Sequence, residues 1–165
     1  MLTFESFDQE LADGMMRGGL AVEGRGGEGI PGYLGIRFTS VTPGECVAEL
    51  EVTEELLNPF GAAHGATLAA LVDHVLGSAV FPVVPRGTWP ATLEFKLNYL
   101  APARVGVLRA TARVVSMSKR TAVVSVECEN DGRVVGAALG TVSLTPPKTQ
   151  SWTPGSKAPS SEAPG

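Results

Sequence analysis

Residues 63–80 read AHGATLAALVDHVLGSAV, and this stretch decides the fold. Apolar side chains fall on every side of a helix with 3.6 residues per turn, so the pattern predicts one long helix from about residue 63 to residue 80. A helix that is apolar nearly all round must be enclosed by other elements. The stretch 62–84 is also long and apolar enough for a membrane span, but His64, Asp73 and His74 make a lipid-facing helix costly and favour a helix buried inside a protein.

The segments around this helix alternate apolar and polar residues, which is typical of half-buried strands. In residues 45–52 the even positions are apolar and three of the odd positions are glutamates. The same alternation recurs in residues 92–99, 108–114 and 121–128. Asn130, Asp131 and Gly132 then predict a tight turn into a last strand at 133–144. With a short strand near 34–38, these segments predict an α+β fold of about six mostly antiparallel strands, wrapped around the central helix.

The two ends of the chain differ in character from this central part. Apolar residues at helical spacing predict a short amphipathic helix that ends near Gly18, namely Phe4, Phe7, Leu11 and Met15. After residue 145 the periodicity is lost and Pro, Ser and Gly predominate. We therefore expect three parts: an N-terminal helix with a glycine-rich connection at 1–30, a single domain at 31–145, and a disordered tail at 146–165.

Composition limits the classes of partner. The net charge of -4 argues against nucleic-acid binding, which needs a clustered cationic surface. Cys46 and Cys128 lie far apart without metal-ligand spacing, so we interpret both as small apolar strand residues in a reducing compartment. His64 and His74 also lack the spacing of a metal site. The first ten residues show no basic segment followed by an apolar run, so we expect a cytoplasmic protein.

Asp73 is the most informative candidate for chemistry. The chain has 2 histidines, and both lie in the same helical segment as Asp73. An unpaired carboxylate inside an apolar helix costs several kcal/mol, so Asp73 either has a catalytic task or is structural, in which case it points into solvent or hydrogen-bonds a nearby strand. His64, at the helix start, either caps the helix or binds substrate. His74 points about 100° away from Asp73 on an ideal helix, so we do not expect a dyad.

The loop before the helix, NPFGAAHG at 58–65, places free backbone amides at a helix N-terminus. Those amides and the helix dipole favour an oxyanion or a carbonyl oxygen near Gly65. Asp73 follows Gly65 by eight residues, about 12 Å along a helix axis, so one atom cannot touch both in a straight helix. An extended substrate, a bend or an unwound first turn would be needed, and the sequence leaves these alternatives open.

Residues 58–79, followed by TLEFKLNYLAPARVG at 92–106, resemble the phenylacetate-type thioesterases of the hotdog superfamily. Their pattern is Asn, Gly, His-Gly-Gly, a helix with Leu-x-Asp, and a strand that ends in a Pro-Ala-x-x-Gly turn. The resemblance implies a hotdog fold and hydrolysis of an acyl-CoA thioester, with Asp73 as general base or nucleophile and the Gly65 amide as oxyanion donor. It also implies that Asn58 orients water or substrate, and that Thr92 of a partner subunit assists. His64 stays a further candidate of the site.

The resemblance further implies a homodimer or homotetramer with active sites between subunits, and no cofactor or metal. Ala66 replaces the second glycine of the pattern, which adds a methyl group at the entry and favours a restricted acyl group. At the turn after the fourth strand the chain has Ser118, Lys119 and Arg120, where family members often carry a glycine before the basic residue. Candidates for binding the phosphates of coenzyme A are Arg104, Lys119 and Arg120.

Two other functions fit such a domain. A hotdog module can bind acyl thioesters without turnover, and this alternative stays open. No basic segment or DNA-binding motif accompanies the domain, which argues only against a sensor linked to DNA. A hotdog hydratase would want an Asp and a His about five residues apart. In this chain His74 directly follows Asp73.

Overall fold

The computed structural model describes residues 3–18 and 29–146. Its helices are α1 (Gln9–Gly18), α2 (Ile30–Tyr33) and α3 (Gly65–Val80). Its strands are β1 (Arg37–Thr42), β2 (Glu45–Val52), β3 (Trp89–Tyr99), β4 (Gly106–Met117), β5 (Thr121–Asn130) and β6 (Arg133–Thr145). Single 3-10 turns at Glu54–Leu56 and Phe81–Val83 precede and follow α3. Most of the predicted glycine-rich connection and nearly all of the predicted tail lie outside the described residues.

The six strands form one sheet in the order β1-β2-β4-β5-β6-β3, and every neighbouring pair is antiparallel. The predicted meander is confirmed, because β4, β5 and β6 are neighbours in the sheet. Strand β3 comes before the meander in sequence but pairs with β6, at the edge opposite β1. The long connection through α3 makes this possible, since it carries the chain from β2 across the sheet to the far edge.

Helix α3 packs on one face of the sheet and supplies the centre of the core. Leu71, Val72, Val75 and Leu76 are 0% exposed, and they meet the inward side chains of the strands, such as Leu50, Leu108 and Val124. Gly65–Val83 is long and apolar enough to cross a membrane, with a mean hydropathy of 1.6, but 61% of that segment is buried inside the fold. The α+β fold with a six-stranded antiparallel sheet and one long central helix is therefore confirmed.

The expectation that other elements enclose α3 on all sides is wrong for a single chain. Ala66 and Asp73 are exposed, and Ala69, Ala70 and Gly77 are half-buried. These residues recur every three or four positions and share one face of the helix. A single sheet covers only the opposite face, so the face that carries Asp73 is open to solvent.

Several boundaries differ from the sequence prediction for local reasons. Helix α3 begins at Gly65 rather than Ala63, because His64 has an extended backbone and caps the helix. Strand β1 begins at Arg37 rather than Leu34, because the short helix α2 occupies the preceding residues.

Helix α1 starts after two of the apolar residues that were expected inside it. Asp8 accepts a hydrogen bond from the Leu11 N–H (3.0 Å) and so marks the start of the helix. The Asp8 carboxylate also pairs with Arg86, beyond α3, and the hydrogen bond from Arg86 holds the pKa of Asp8 below its usual value. Ala12 and Met15 are buried, so α1 covers part of the core.

Candidate active site

Two grooves flank α3, one at each end of its exposed face. The amide groove lies at the N-terminus of α3, has a volume of about 620 Å³, and is lined by Asn58, residues 62–66, Leu68 and residues 99–103. The carboxylate groove lies beside the second half of α3, has a volume of about 420 Å³, and is lined by Asp73, His74, Gly77, Ser78, Phe81 and residues 89–92. The sequence-predicted site residues Gly65 and Asp73 therefore belong to different grooves of one chain.

His64 caps α3, as one of the two sequence alternatives predicted. Its Nδ1 accepts a hydrogen bond from the Ala66 N–H at 3.1 Å, and its carbonyl oxygen accepts one from the Thr67 N–H at 2.8 Å. Among the described residues the Gly65 N–H has no hydrogen-bond partner. Of these three donors at the helix start, only the Gly65 amide is thus left to bind an oxygen of a ligand.

Asn58 shapes the loop that leads into α3. Its side-chain oxygen accepts hydrogen bonds from the backbone N–H groups of Phe60 (2.9 Å) and Ala62 (3.3 Å). The loop turns at Gly61, whose φ of 73° lies in the left-handed region that favours glycine. Because the oxygen of Asn58 is engaged in the loop, only its amide NH2 group is left for a contact with water or substrate.

The Asp73 carboxylate is exposed and makes no hydrogen bond or ion pair within the described part of the chain. The desolvation cost expected from the sequence therefore does not arise in a single chain, because the sheet lies on the other side of α3. Thr92 lines the same groove as Asp73. Strand β3 brings Thr92 there because it runs along the edge of the sheet beside the second half of α3. The expectation that Thr92 of a partner subunit assists stays a prediction.

His74 is a packing residue of the carboxylate groove. Its ring stacks on Phe38, with ring centroids 5.2 Å apart and an angle of 29° between the planes. Burial lowers the pKa of His74, and the charge of Asp73 opposes that shift only in part. The described hydrogen bonds include none between His74 and Asp73. With His74 neutral, Asp73 is the only charged side chain among the residues that line the groove.

The lowered pKa of His74 predicts a loss of stability in mild acid. The unfolded chain takes up a proton at His74 as the pH falls through about 6.5, whereas the folded chain resists protonation until a lower pH. We expect the urea midpoint to fall between pH 8 and pH 5.5, and the fall to be smaller in His74→Gln. An equal slope in His74→Gln and wild type would contradict the assignment.

The three basic residues predicted to bind coenzyme A phosphates do not come together in one chain. Arg104 follows β3 at the Tyr99 end, and its Nη1 donates a hydrogen bond to the Gly61 carbonyl oxygen at 2.6 Å. Lys119 and Arg120 lie exposed in the turn between β4 and β5, which the strand register places at the Trp89 end of β3. Because β3 has 11 residues, the two ends are roughly 35 Å apart. Arg104 thus lies at the end of the sheet nearer the amide groove, and the other two lie at the end nearer the carboxylate groove.

Tyr99 is a site residue that the sequence did not single out. Its hydroxyl donates a hydrogen bond to the Gly65 carbonyl oxygen at 3.0 Å, and the residue lines the amide groove. The only sequence signal was its position at the end of an alternating strand. In the described ranges no group of three or more His, Cys, Asp or Glu residues could hold a metal ion. Both cysteines are buried, and burial raises the pKa of Cys128 to about 12.

The chain is similar to known proteins over most of the described core. A family model described as the thioesterase superfamily matches residues 60–137. The chain is 30% identical over 103 residues to the 1,4-dihydroxy-2-naphthoyl-CoA hydrolase of Listeria monocytogenes, covering 62% of this chain and 84% of that protein. It is 32% identical over 96 residues to acyl-coenzyme A thioesterase 13 of Homo sapiens, covering 58% and 68%.

The fold also has solved relatives. The structure of the PaaI protein from the phenylacetic acid degradation operon of E. coli matches with a TM-score of 0.65 and 28% identity, covering 69% of this chain and 82% of that chain. The family match includes Gly65, Asp73 and Thr92, whereas Asn58 lies two positions before it begins.

Proposed function

The chain belongs to the thioesterase superfamily, as its sequence resemblance indicated, and we propose that it hydrolyses acyl-CoA thioesters at sites shared by two copies of the chain. One observation carries the shared site. The Gly65 amide is expected to stabilise the oxyanion, and the Asp73 carboxylate is expected to activate the attack. These two groups lie in separate grooves of one chain. A thioester carbonyl must reach both groups at once, which a single copy of the chain does not allow.

A two-fold axis near Ala69 resolves this separation. Ala69 lies four residues after Gly65 and four residues before Asp73. Two antiparallel α3 helices that cross at Ala69 therefore place Gly65 of one chain level with Asp73 of the other. The exposed face of α3 carries small residues at the crossing, Ala66, Ala69 and Ala70, which permit a close approach of the two helices.

The edge of the sheet supports the same arrangement. Strand β3 has a neighbour on one side only, and Trp89 and Leu93 on it are 57% and 61% exposed. An unpaired edge strand with exposed apolar side chains favours pairing with another strand. Pairing of β3 with its copy would join the two sheets and would set the open faces of the two α3 helices together. A dimer is sufficient for the shared site, and a tetramer would pair two such dimers.

In this site the thioester carbonyl oxygen accepts a hydrogen bond from the Gly65 N–H of one chain. Asp73 of the other chain takes a proton from a water that attacks the carbonyl carbon, or attacks that carbon itself. The negative charge that develops on the oxygen is stabilised by the Gly65 amide and the dipole of α3. The C–S bond then breaks, and the coenzyme A thiolate leaves and takes up a proton. On the second route the acyl group stays on Asp73 as a mixed anhydride, which a water then hydrolyses to the free acid and the carboxylate. Either route requires a charged carboxylate at Asp73.

The other site residues have supporting roles in this proposal. The Asn58 NH2 group orients water or the substrate carbonyl. The Thr92 hydroxyl is an auxiliary polar group in the groove that Asp73 of the same chain lines. His64 caps α3 and so leaves the Gly65 amide as the available donor. Lys119 and Arg120 are exposed at the end of the sheet nearest the carboxylate groove, where they could meet the nucleotide phosphates.

Mixing of variant subunits tests the shared site. Asn58→Ala damages the amide groove and Asp73→Asn damages the carboxylate groove, so we expect each variant alone to be impaired. In a mixed dimer one of the two shared sites contains both wild-type halves. A statistical mixture should therefore recover about a quarter of the wild-type thiol release from acyl-CoA, since about half of the dimers are mixed.

The control for this experiment is a mixture of Asp73→Asn with Thr92→Ala. These two residues line one groove of one chain, so a mixed dimer of these variants contains no intact site and should not recover activity. A purified Asn58→Ala and Asp73→Asn mixed dimer that is no more active than its parents would contradict the shared site. Absence of thiol release by the wild type across a panel of acyl-CoA substrates would instead favour an acyl-thioester-binding module.

A further inference from the structure

The segment that leaves β3 is tied to the loop that carries the Gly65 amide. Three hydrogen bonds connect residues 99–104 with residues 61–65. The Tyr99 hydroxyl donates to the Gly65 carbonyl oxygen at 3.0 Å, and Arg104 Nη1 donates to the Gly61 carbonyl oxygen at 2.6 Å. Between them the Ala63 N–H donates to the Ala103 carbonyl oxygen at 2.8 Å. Two side chains thus reach the two ends of the turn that enters α3.

This segment is itself fixed to the sheet. Tyr99 is paired with Gly136 of β6, and the N–H groups of Leu100 and Ala101 both donate to the Val135 carbonyl oxygen. At its other end Asn130, which is 5% exposed, accepts from the Arg104 N–H at 2.7 Å and donates to the Arg104 carbonyl oxygen at 3.3 Å. The side chains of Tyr99 and Arg104 therefore act from a backbone that is held at both ends.

The Tyr99 side chain contacts Gly65 closely enough to fix the position of that glycine. A Cβ atom built on Gly65 would be 3.1 Å from the Tyr99 hydroxyl oxygen and 3.2 Å from Cζ of its ring. The ring therefore packs directly on the glycine, whose own N–H has no described partner. Because an oxyanion donor works only when it is placed to within a fraction of an ångström, a small shift of Gly65 weakens stabilisation of the transition state.

We propose that Tyr99 and Arg104 form a two-point clamp that positions the Gly65 amide for thioester hydrolysis, an inference that rests on the function proposed above. Both are positioning residues, since they act through the loop rather than on the reacting atoms. Tyr99 is 57% exposed and Arg104 is also exposed, so their loss leaves no cavity in the core and little change in global stability. Their loss instead frees the loop.

The test uses the full chain and four variants, namely Tyr99→Phe, Arg104→Met, the double variant of these two, and Arg104→Lys. We expect each single variant to lower kcat about tenfold, with KM within about twofold of wild type and an almost unchanged thermal midpoint. Arg104→Lys keeps a cationic donor and should recover part of the loss. Hydrogen exchange of residues 59–66, followed by mass spectrometry, should be faster in the single variants and fastest in the double variant.

The matched controls are Ser125→Ala and Arg113→Met, which delete the same kinds of group on the outer face of the central strands β5 and β4. Ser125 donates to a backbone carbonyl and Arg113 pairs with Glu45, both away from the two grooves. We expect both controls to keep wild-type kcat and loop exchange.

Unchanged loop exchange in the double variant would overturn the clamp, whatever its activity. Faster exchange with wild-type kcat, or a rise in KM alone, would overturn its role in positioning the donor. Loss of turnover in Asp73→Asn alongside wild-type kcat in the double variant would defeat the clamp and leave the proposed function standing.

Discussion

Asp73→Asn is expected to lower kcat for acyl-CoA hydrolysis by at least roughly a hundredfold, the scale of a general-base contribution. Asparagine preserves the shape of the side chain but can neither accept a proton from water nor attack as a carboxylate. We expect KM to change little, because the thioester still reaches the Gly65 amide. The measurement is free-thiol release under saturating substrate, compared with the wild type on the same acyl-CoA.

The structure also fixes what this substitution should do to stability. Asp73 is exposed in one chain and has no described partner, so its replacement leaves no buried group unsatisfied. We expect a thermal midpoint equal to that of the wild type, or higher where a second subunit covers the carboxylate. Glu127→Gln, at an exposed carboxylate of β5, is the matched control and should keep full activity. Near-wild-type turnover by folded Asp73→Asn would end the catalytic role.

Leu76→Ala is expected to lower the free energy of unfolding by about 3 to 4 kcal/mol, a large part of the stability of a domain this size. Leu76 is 0% exposed and lies on the face of α3 that packs on the sheet. Its Cδ1 comes within 2.9 Å of the position that a Cβ on Gly140 would occupy, so the leucine and the glycine fit each other closely. Removing the side chain leaves a cavity that the rigid strand cannot fill.

Leu139→Ala provides the matched control for this substitution. Leu139 neighbours Gly140 in β6 but is 52% exposed on the outer face of the sheet. We expect its truncation to change the free energy of unfolding by less than about 0.5 kcal/mol, as is usual for surface positions. Urea unfolding of the two variants measures the difference directly. Equal destabilisation by both would contradict the packing of α3 on this face.

The local sequence predicted the helices and strands well, because their periodicity depends only on residues close together in the sequence. Strand β2 was predicted with the boundaries that the structure shows, and the tight turn at Asn130–Gly132 placed β5 beside β6. The capping of α3 by His64 was one of two alternatives drawn from the helix start alone. The resemblance to hotdog thioesterases rested on spacings within residues 58–106, and the family match confirms it.

Local periodicity does not predict contacts between residues that are far apart in the sequence. Strand β3 pairs with β6, and this pairing places Thr92 in the same groove as Asp73. No local sequence pattern indicates the pairing. The Arg104 side chain donates a hydrogen bond to the Gly61 carbonyl oxygen, a contact that the sequence did not indicate, and its binding of phosphate stays a prediction. The hydroxyl of Tyr99 meets the Gly65 carbonyl oxygen across 34 positions of sequence, and an alternating strand gives no sign of such a bond.

The sequence by itself thus determined the elements, the family and the two groups, Gly65 and Asp73, on which the proposed chemistry depends. Only the tertiary structure decided that these groups lie in separate grooves and that Asp73 is exposed. The physical reason is that a helix that is apolar nearly all round does not specify which of its faces a single sheet will cover. That choice follows from the packing of residues such as Leu76 against strands far away in sequence, and it leaves the Ala66 to Asp73 face of a single chain open to solvent.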